Sequence, residues 1–350
     1  MDIFLNKYLK YKNKYKKLKK KLLVYRKNYF MTSEENINLD QTGGKNNKNT
    51  KNIVYFHYPC NDGLAAAWVA KLKLSKEDSN LDLRPYSHGN QLDLSLENKM
   101  IYFLDMAPSI ENYKILKEKN TVLVLDHHKS NQIAYEGLDD KNVFFDMNLS
   151  GVGLAWQWFF PKEAIADGLY TSKEAIPLFL QMIQGRDLFK FELDNINEFT
   201  ETLNLEILAN KNIDNQFKLF DDLYNIKGKL NEYIDLGKPL LKQKQLKVQL
   251  LGDINIKKIY IYEGHKLCMA NVDSDYASDL GSNLSSRPEC DFAILWNYDH
   301  INEKYNVSMR STNKVDVSVI CKKFGGGGHP NASGCKLEEH PVIIFGKKTK

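Results

Sequence analysis

Short apolar runs alternate with longer amphipathic stretches in the first half of the chain. Four runs share the length and apolar character of strands, namely Ile53–Phe56, Ile101–Leu104, Thr121–Leu125 and Val143–Phe145. The helix-like stretches are Leu64–Leu74, Ile110–Lys117 and Gly151–Phe160. Continuous apolar runs of this length are typical of strands buried on both faces, and their alternation with helices predicts a parallel sheet covered by helices.

The second half of the chain has a different pattern. Residues 172–250 are mainly helical in pattern, and a second strand-rich unit follows, with predicted strands at Lys258–Tyr262, Phe292–Trp296 and Tyr305–Met309. We therefore predict an α/β protein in which a parallel-sheet domain is joined by a helical linker to a smaller mixed α/β domain. The expected boundaries are 53–235 for the first domain, 236–252 for the connector and 253–345 for the second domain.

The N-terminal segment has a separate character. In residues 1–30 apolar and aromatic side chains recur at spacings of four and three, which predicts a basic amphipathic helical tail. Self-association or partner binding through this heptad stripe is the preferred interpretation, although a membrane-surface helix or a nucleic-acid-binding arm would use the same lysine-rich face. Residues 31–52 have little to bury and predict a flexible linker.

Charge is divided unevenly along the chain. The net charge of +5 combines eleven basic and one acidic residue in positions 1–30 with 38 basic and 43 acidic residues in the remaining 320. The mildly acidic body does not indicate a long nucleic-acid groove. The sequence shows no transmembrane segment and no secretory signal, and its five cysteines are an odd number, so we expect an intracellular, cytoplasmic protein.

Candidate chemistry lies just beyond the predicted strands. His57, Cys60 and Asp62 follow the first run, Asp105 follows the second, and Asp126-His127-His128 follow the third; Asp187 comes after a helical stretch, Ala175–Gln184. Each residue alone would be an ordinary turn, N-cap or structural residue. Together they lie at the edge of an open parallel sheet where ligands bind. Crowded carboxylates repel one another unless a cation neutralises them. Oxygen and imidazole donors suit Mn²⁺ or Mg²⁺, with Zn²⁺ or Fe²⁺ as alternatives.

These motifs resemble those of the DHH phosphoesterase superfamily. The Asp126-His127-His128 triplet resembles the motif that gives the superfamily its name, and His57 to Gly63 resembles its first motif. Two further matches are Leu104-Asp105 and Gly185 to Leu188. The superfamily includes single-strand exonucleases, nano-RNases, cyclic-dinucleotide phosphodiesterases, exopolyphosphatases and a class of pyrophosphatases. The resemblance covers roughly residues 53 to 335, and the glycine run near the C-terminus is similar to the signature of the DHH-associated domain.

The resemblance implies a role for each matching residue. Asp105 would bridge two divalent metal ions. His57 would bind one ion, and Asp62, His127 and Asp187 would bind the other. Asp126 would orient His127, and His128 would face the substrate and stabilise phosphate charge without binding metal.

Cys60 departs from the family pattern, which has an aspartate at this place. A thiolate here would favour a softer ion such as Zn²⁺ or Fe²⁺. Alternatively, the first ion binds weakly and arrives with substrate, or Cys60 only packs in the interior.

Substrate contacts are expected from the second domain. A run of glycines, including Gly326, Gly327 and Gly328, precedes His329. Backbone N–H groups in such a run can surround an anion, and Arg310 can hold phosphate with its planar fork of donors. A surface salt bridge is the alternative for Arg310.

The sequence therefore predicts a metal-dependent phosphohydrolase that acts on short oligonucleotides or small nucleotides through a water activated by two metal ions. Exopolyphosphatase activity is one alternative. A non-catalytic nucleotide- or nucleic-acid-binding relative with a degenerate first metal site is another, and a scaffold that works through the tail is a third. The lysine- and tyrosine-rich N-terminus resembles proteins of giant DNA viruses, which would place the protein in a host cell.

Overall fold

The computed structural model describes residues 52–346, except 77, 79–80, 88–89 and 161–175. The predicted tail at 1–30 and nearly all of the predicted linker at 31–52 lie outside the described residues. Among the residues described, no helix combines the length and the apolar character needed to cross a membrane.

The first sheet has five parallel strands in the order β2-β1-β3-β4-β5. The strands are β1 (Asn52–His57), β2 (Asp82–Tyr86), β3 (Met100–Leu104), β4 (Thr121–Asp126) and β5 (Val143–Phe145). The prediction of a parallel sheet is confirmed. Strand β2 was not predicted, because Arg84 and Pro85 interrupt its apolar pattern; it is an edge strand, where proline is tolerated.

Helices cover both faces of this sheet. The helices are α1 (Asn61–Leu74), α2 (Ile110–Lys119), α3 (Lys129–Ala134), α4 (Gly151–Phe159), α5 (Leu178–Asp187), α6 (Ile196–Ala209) and α7 (Ile213–Asn225). Val54 and Phe56 of β1 belong to the core formed with α1, α4, α5, α6 and α7. Their neighbours Ile53 and Tyr55 point to the opposite face, in the core that includes α2. Successive strand residues are thus buried on alternate faces, which explains the uninterrupted apolar runs.

A 27-residue helix, α8 (Lys229–Asn255), contains the predicted connector at 236–252. Near its start, Tyr233 packs against Phe199 of α6 and its carbonyl oxygen accepts a hydrogen bond of 2.7 Å from Thr202 Oγ1. Near its end, Val248 belongs to the core of the second sheet. The helix therefore packs against elements of both sheets.

The second sheet is mixed and has six strands in the order β10-β11-β9-β8-β7-β6. Its strands are β6 (Ile259–Tyr262), β7 (His265–Asn271), β8 (Phe292–Asp299), β9 (Lys304–Ser311), β10 (Gly327–His329) and β11 (Ala332–Leu337). Only β7 and β8 run parallel. Helix α9 (Ser274–Ser285) packs on one face, and α10 (Val317–Lys322) and α11 (Pro341–Phe345) pack on the other. The predicted mixed α/β second domain is confirmed as a fold class.

Candidate metal centre

The register of the first sheet aligns the ends of three strands. Phe56 pairs with Leu104, and Leu104 pairs with Leu125. The next residue on each strand is His57, Asp105 or Asp126. Because the strands are parallel and end at one level, these polar side chains reach the same edge of the sheet.

Asp105 lies at the centre of this edge. Its side chain is 1% exposed, with Oδ2 3.2 Å from His57 Nδ1 and Oδ1 3.1 Å from His127 Nε2. Its φ angle is +58°, a left-handed conformation that aspartate tolerates better than most residues and that is frequent at functional sites. The carboxylate is therefore shared between His57, at the end of β1, and His127, directly after β4.

Two groups of side chains have the spacing of metal ligands, and both contain Asp105. One group is Asp62, Asp105 and His127, and the other is His57, Asp105 and His128; within each group the ligand atoms lie within 4.8 Å of one another. A carboxylate shared by two such groups is the arrangement expected for a pair of bridged divalent ions.

Asp62 is held by the N-terminus of α4. Its oxygens accept hydrogen bonds from the Ser150 hydroxyl at 2.5 Å, the Gly151 N–H at 2.5 Å and the Val152 N–H at 3.1 Å. A Cβ on Gly151 would lie 2.3 Å from Asp105 Cβ, so this approach requires glycine. From the sequence alone, Ser150 and Gly151 are predicted only to begin a helix, and their hydrogen bonds to Asp62 are not predicted. The one feature of the sequence that suggests such bonds is the Ser-Gly pair at a helix N-terminus.

Asp187, the last residue of α5, lies beside the first ligand group. Its Oδ2 lies 3.4 Å from His127 Nε2, and His127 Nε2 lies 4.0 Å from Asp62 Oδ2. Within the described part of the chain, this buried Asp187 oxygen has no hydrogen-bond partner. A buried carboxylate oxygen without a donor needs a cation, so the donor set fits a divalent ion.

Asp126 contacts a different histidine from the one we expected. One of its oxygens accepts from the His127 N–H at 2.7 Å and lies 2.7 Å from His128 Nδ1, while Asn131 Nδ2 donates to the other at 2.7 Å. It therefore orients the ring of His128, and its hydrogen bond with His127 is to the backbone N–H. Since Nδ1 of His128 contacts Asp126, Nε2 is the ring nitrogen that remains available to bind a metal ion. The resemblance implies a different role for His128, which is to face the substrate.

The charges in the site depend strongly on one another. Burial disfavours a charged His127, but the hydrogen bond and attraction of Asp105 outweigh it and raise the pKa of His127 to about 10. Burial likewise opposes the charge on His128, and Asp126 raises the pKa of His128 to about 9. Burial is also the main cause that raises the pKa of Asp62, followed by the negative charges of Asp187 and Asp105. Burial likewise raises the pKa of Asp187 and outweighs the attraction of His127, which lowers it. The carboxylates thus draw positive charge to the site, in the form of protons on histidine or of divalent ions.

Cys60 lies beside these groups and belongs to neither. It is the N-cap residue of α1, half-buried at the end of the β1–α1 loop. Burial, reinforced by the charges of Asp105 and Asp187, raises the pKa of the Cys60 thiol well above its ordinary value. The surroundings therefore favour a neutral thiol at this position.

The second sheet contributes His329 to the same site. Its ring stacks on that of His128, with 5.8 Å between centroids and 23° between planes, and lies 6.2 Å from the His127 ring. Burial, then the positive charges of His128 and His127, lower the pKa of His329. A neutral imidazole from the second domain thus faces the candidate metal centre.

The glycines of the run before His329 differ in how closely other atoms surround them. A Cβ on Gly326 would lie 2.2 Å from the Gly334 carbonyl oxygen, and Gly328 has a φ of +136°, so both are required by the β10–β11 hairpin. Gly327 has open space around its Cα. Gly325 also has open space, with a φ of +70°, so Gly325 and Gly327 are the two glycines of the run with room for an approaching ligand.

Arg310 lies on β9, where its side chain packs beside Gly281 of α9. Its Nη1 donates to the carbonyl oxygen of Met309 at 2.9 Å, and its buried Nε has no hydrogen-bond partner among the described residues. Burial lowers the pKa of the Arg310 guanidinium, although attraction to Cys321 and Asp279 opposes the shift. No carboxylate among the described residues forms a salt bridge with Arg310. The alternative interpretation, a surface salt bridge, is therefore not seen in this part of the chain.

The chain is similar in sequence to several known proteins. The DHHA1 domain family matches residues 266–344. Protein R106 of Acanthamoeba polyphaga mimivirus is 29% identical over 310 residues, covering 82% of this chain and 68% of that protein. Oligoribonuclease NrnB of Bacillus subtilis (strain 168) is 22% identical over 319 residues, covering 81% of this chain and 72% of the relative.

A solved structure shares the fold. RecJ in complex with Mn²⁺ from Thermus thermophilus superposes with a TM-score of 0.50 at 14% identity, covering 85% of this chain and 50% of that chain. The order of the motifs, the two-sheet architecture and the DHHA1 match all lead to one assignment. The matches indicate the DHH phosphoesterase superfamily, and residues 266–344 correspond to a DHHA1 domain.

Proposed function

We propose that the protein hydrolyses phosphodiester bonds of short oligonucleotides with two divalent metal ions, most readily Mn²⁺. The observation that carries the proposal is the Asp105 carboxylate, which is shared by two metal-ligand groups at the carboxyl edge of the parallel sheet. Such a pair of ions activates a water molecule and stabilises the charge that develops on the phosphoryl oxygens.

The chain supplies two different ligand sets. We assign Asp62, Asp105, His127 and Asp187 to one ion and His57, Asp105 and His128 to the other. In this assignment His128 takes the place for which the first motif offers Cys60. Mixed carboxylate and imidazole donors are compatible with Mn²⁺, Zn²⁺ and Fe²⁺, whereas Mg²⁺ prefers oxygen ligands alone.

The second domain holds the substrate phosphate in this proposal. His329 faces the candidate metal centre, and Gly327 has open space around its Cα. Arg310 has a buried donor without a partner among the described residues, which a phosphate oxygen would satisfy. The negative charge that develops on the phosphate in the transition state would then be stabilised from two sides. Metal ions bound by the first domain would contact it on one side, and hydrogen-bond donors of the second domain would contact it on the other.

Two further observations support a short nucleic-acid substrate. A relative bears the name oligoribonuclease. The body of the chain outside positions 1–30 has an excess of five acidic residues, which disfavours a long electrostatic track along a polymer.

The test is hydrolysis of a substrate panel with Mn²⁺, Mg²⁺ and Zn²⁺ supplied separately. The panel contains a dinucleotide, a short oligoribonucleotide, a short oligodeoxynucleotide, a nucleoside bisphosphate and polyphosphate. We expect cleavage of the dinucleotide and short oligonucleotides, lost in Asp105→Asn and retained in Asp299→Asn, whose carboxylate lies in the β8–β9 turn. Preferred cleavage of polyphosphate would contradict the substrate class, and nucleotide binding without turnover under any metal would identify a non-catalytic relative.

A further inference from the structure

Two exposed aromatic side chains follow the metal-centre residue Asp187. Phe189 is 52% exposed and Phe191 is 47% exposed, and their ring centroids lie 6.4 Å apart at an angle of 81°. Single exposed apolar residues are common on protein surfaces. Two phenylalanines in contact, within four residues of a candidate metal ligand, are a more specific feature, which we call the aromatic step.

The backbone holds the aromatic step in a strained conformation. Phe189 has a φ of +54°, a left-handed conformation that is unfavourable for a bulky side chain. Hydrogen bonds on both sides fix it, from the Leu188 N–H to the Gln184 carbonyl at 2.9 Å and from the Lys190 N–H to the Gly185 carbonyl at 2.8 Å. Strain of this kind persists where the surrounding structure enforces it, often at ligand-binding sites.

The aromatic step lies where the two domains meet. The guanidinium carbon of Arg186 lies 5.8 Å from the centre of the Phe191 ring. The same guanidinium donates to Asp279 of α9, in the second domain, at 3.1 Å. Since consecutive Cα atoms are about 3.8 Å apart, Phe189 Cα is within about 7.6 Å of Asp187 Cα. A substrate whose phosphate is bound at the metal centre would therefore have an adjoining group near these rings.

We propose that Phe189 and Phe191 form a stacking surface for a nucleobase next to the scissile phosphate. This inference rests on the proposed function and specifies it further, because it requires a substrate with a base and gives polyphosphate no contact. Bases stack on aromatic side chains with little dependence on sequence, since every base presents a π-face. The aromatic step would thus recognise a nucleotide without selecting among the four bases.

The decisive comparison uses two dinucleotides with the same backbone, one with its bases and one abasic. The full chain with Mn²⁺ is compared with Phe189→Ala, Phe191→Ala and the double variant. We expect kcat/KM for the base-bearing dinucleotide to fall about tenfold or more in the double variant, mainly through KM, while the abasic dinucleotide is cleaved as by the parent protein. Ile301→Ala, which removes a 92% exposed side chain in the β8–β9 turn, should change neither.

Two additions separate stacking from misfolding and from failure of the proposed function. Phe189→Leu with Phe191→Leu keeps apolar bulk without a ring, so it should fold normally and still lose the preference for base-bearing substrate. Stopped-flow fluorescence of a dinucleotide that carries 2-aminopurine reports stacking before turnover, and we expect quenching in the parent protein and not in either double variant.

Each outcome has one meaning. Equal losses on base-bearing and abasic dinucleotides, or no loss on either, would overturn the stacking surface and leave the phosphodiesterase intact. If the parent protein cleaves neither dinucleotide, the proposed function fails, and the fluorescence decides the stacking surface alone: quenching that depends on the two phenylalanines supports it, and unchanged or absent quenching refutes it.

Discussion

Cys60 lies beside the two candidate ligand groups and belongs to neither. The resemblance to the superfamily places an aspartate here, and the structure leaves the cysteine side chain outside both ligand groups. Burial keeps its thiol pKa high, so the neutral form is favoured. His128, held by Asp126 at 2.7 Å, lies within ligand distance of His57 and Asp105 instead.

We therefore expect Cys60→Ser to bind as many Mn²⁺ ions as the parent protein, whereas His128→Ala should retain about one ion fewer because a donor is lost. Metal content after equilibrium dialysis, measured by plasma mass spectrometry, tests both variants. His329→Ala is the matched control, since it removes a nearby imidazole that belongs to neither ligand group. Loss of an ion in Cys60→Ser would instead make the thiolate a ligand and favour Zn²⁺ or Fe²⁺.

Gly151 and Gly327 differ in how much space surrounds them, so an alanine at each should affect stability differently. A methyl group at Gly151 would meet Asp105 and displace α4 from Asp62, whereas Gly327 has space for one. We expect Gly151→Ala to lower the free energy of unfolding by about 1–3 kcal/mol, as overpacking of a core does, and to weaken metal binding. Gly327→Ala should leave the free energy of unfolding unchanged and raise KM, because the added methyl group narrows the approach to the loop backbone. Urea unfolding together with steady-state kinetics separates the two effects. An equally unstable Gly327→Ala would show that its loop is packed.

Among the individual elements, α2 is fixed to the loop before β5 by one buried carboxylate. Asp140, with a 3% exposed side chain, pairs with Lys117 and accepts a hydrogen bond from the Tyr113 hydroxyl at 2.5 Å. Burial raises the pKa of Asp140, but the bonds from Lys117 and Tyr113 outweigh that effect and hold its pKa below the ordinary value. A carboxyl whose pKa is lower in the folded state stabilises the fold at pH values above its unfolded pKa.

Asp140→Asn should consequently lower the free energy of unfolding by about 1.5–3 kcal/mol at pH 7, the range for hydrogen bonds to charged groups. The difference between variant and parent should shrink as the pH falls below about 4, the unfolded pKa of aspartate, and through the lower folded pKa of Asp140. Urea unfolding at pH 7 and at stepwise lower pH measures it. Asp139→Asn changes the exposed neighbour, and an equal loss there would show that the effect is not specific to the buried pair.

The sequence predicted those elements whose pattern is set by burial on two faces. Strands β1, β3 and β4 are continuous apolar runs because helices cover both sides of their sheet. Strand β2 escaped because it is a half-buried edge strand with a proline. Strands β10 and β11 were not predicted because their glycine and serine residues give no alternation of apolar and polar positions. In the structure β10 pairs with β11, and β11 pairs with β9.

The same distinction applies to the site. That Asp105 and His127 converge follows from parallel strands with one register, which a sequence pattern reveals. That Ser150 holds Asp62, or that Asp126 contacts the His128 ring, depends on how helices pack and which rotamer fits. No local sequence pattern predicts those contacts, because they depend on the packing of the folded chain and on side-chain rotamers.

Over the whole molecule, a network of ion pairs connects the two domains beside the metal centre. Asp279 of α9 lies 3.1 Å from Arg186 of α5 and 2.9 Å from Lys244 of α8, and Lys244 lies 2.8 Å from Glu201 of α6. Burial opposes the charge of Asp279, but attraction to Arg186 and Lys244 holds its pKa below the ordinary value. One carboxylate thus joins the helix that ends in Asp187 to the helix on which Arg310 packs.

Asp279→Asn should remove the two ion pairs that hold α9 to Arg186 of α5 and to Lys244 of α8, so α9 would pack less closely against α5. Because His329 and Arg310 belong to the domain that α9 carries, we expect KM for a dinucleotide to rise about tenfold, or about 1.4 kcal/mol, with a smaller change in kcat. Asp253→Asn is the matched control, since the 2.9 Å pair of Asp253 with Arg287 lies between α8 and the end of α9 and leaves α5 untouched. Metal content should remain unchanged in both variants, because neither aspartate is in a ligand group. Equal KM values for the two variants would show that the Asp279 network stabilises the fold without setting the distance between the candidate metal centre and the second domain.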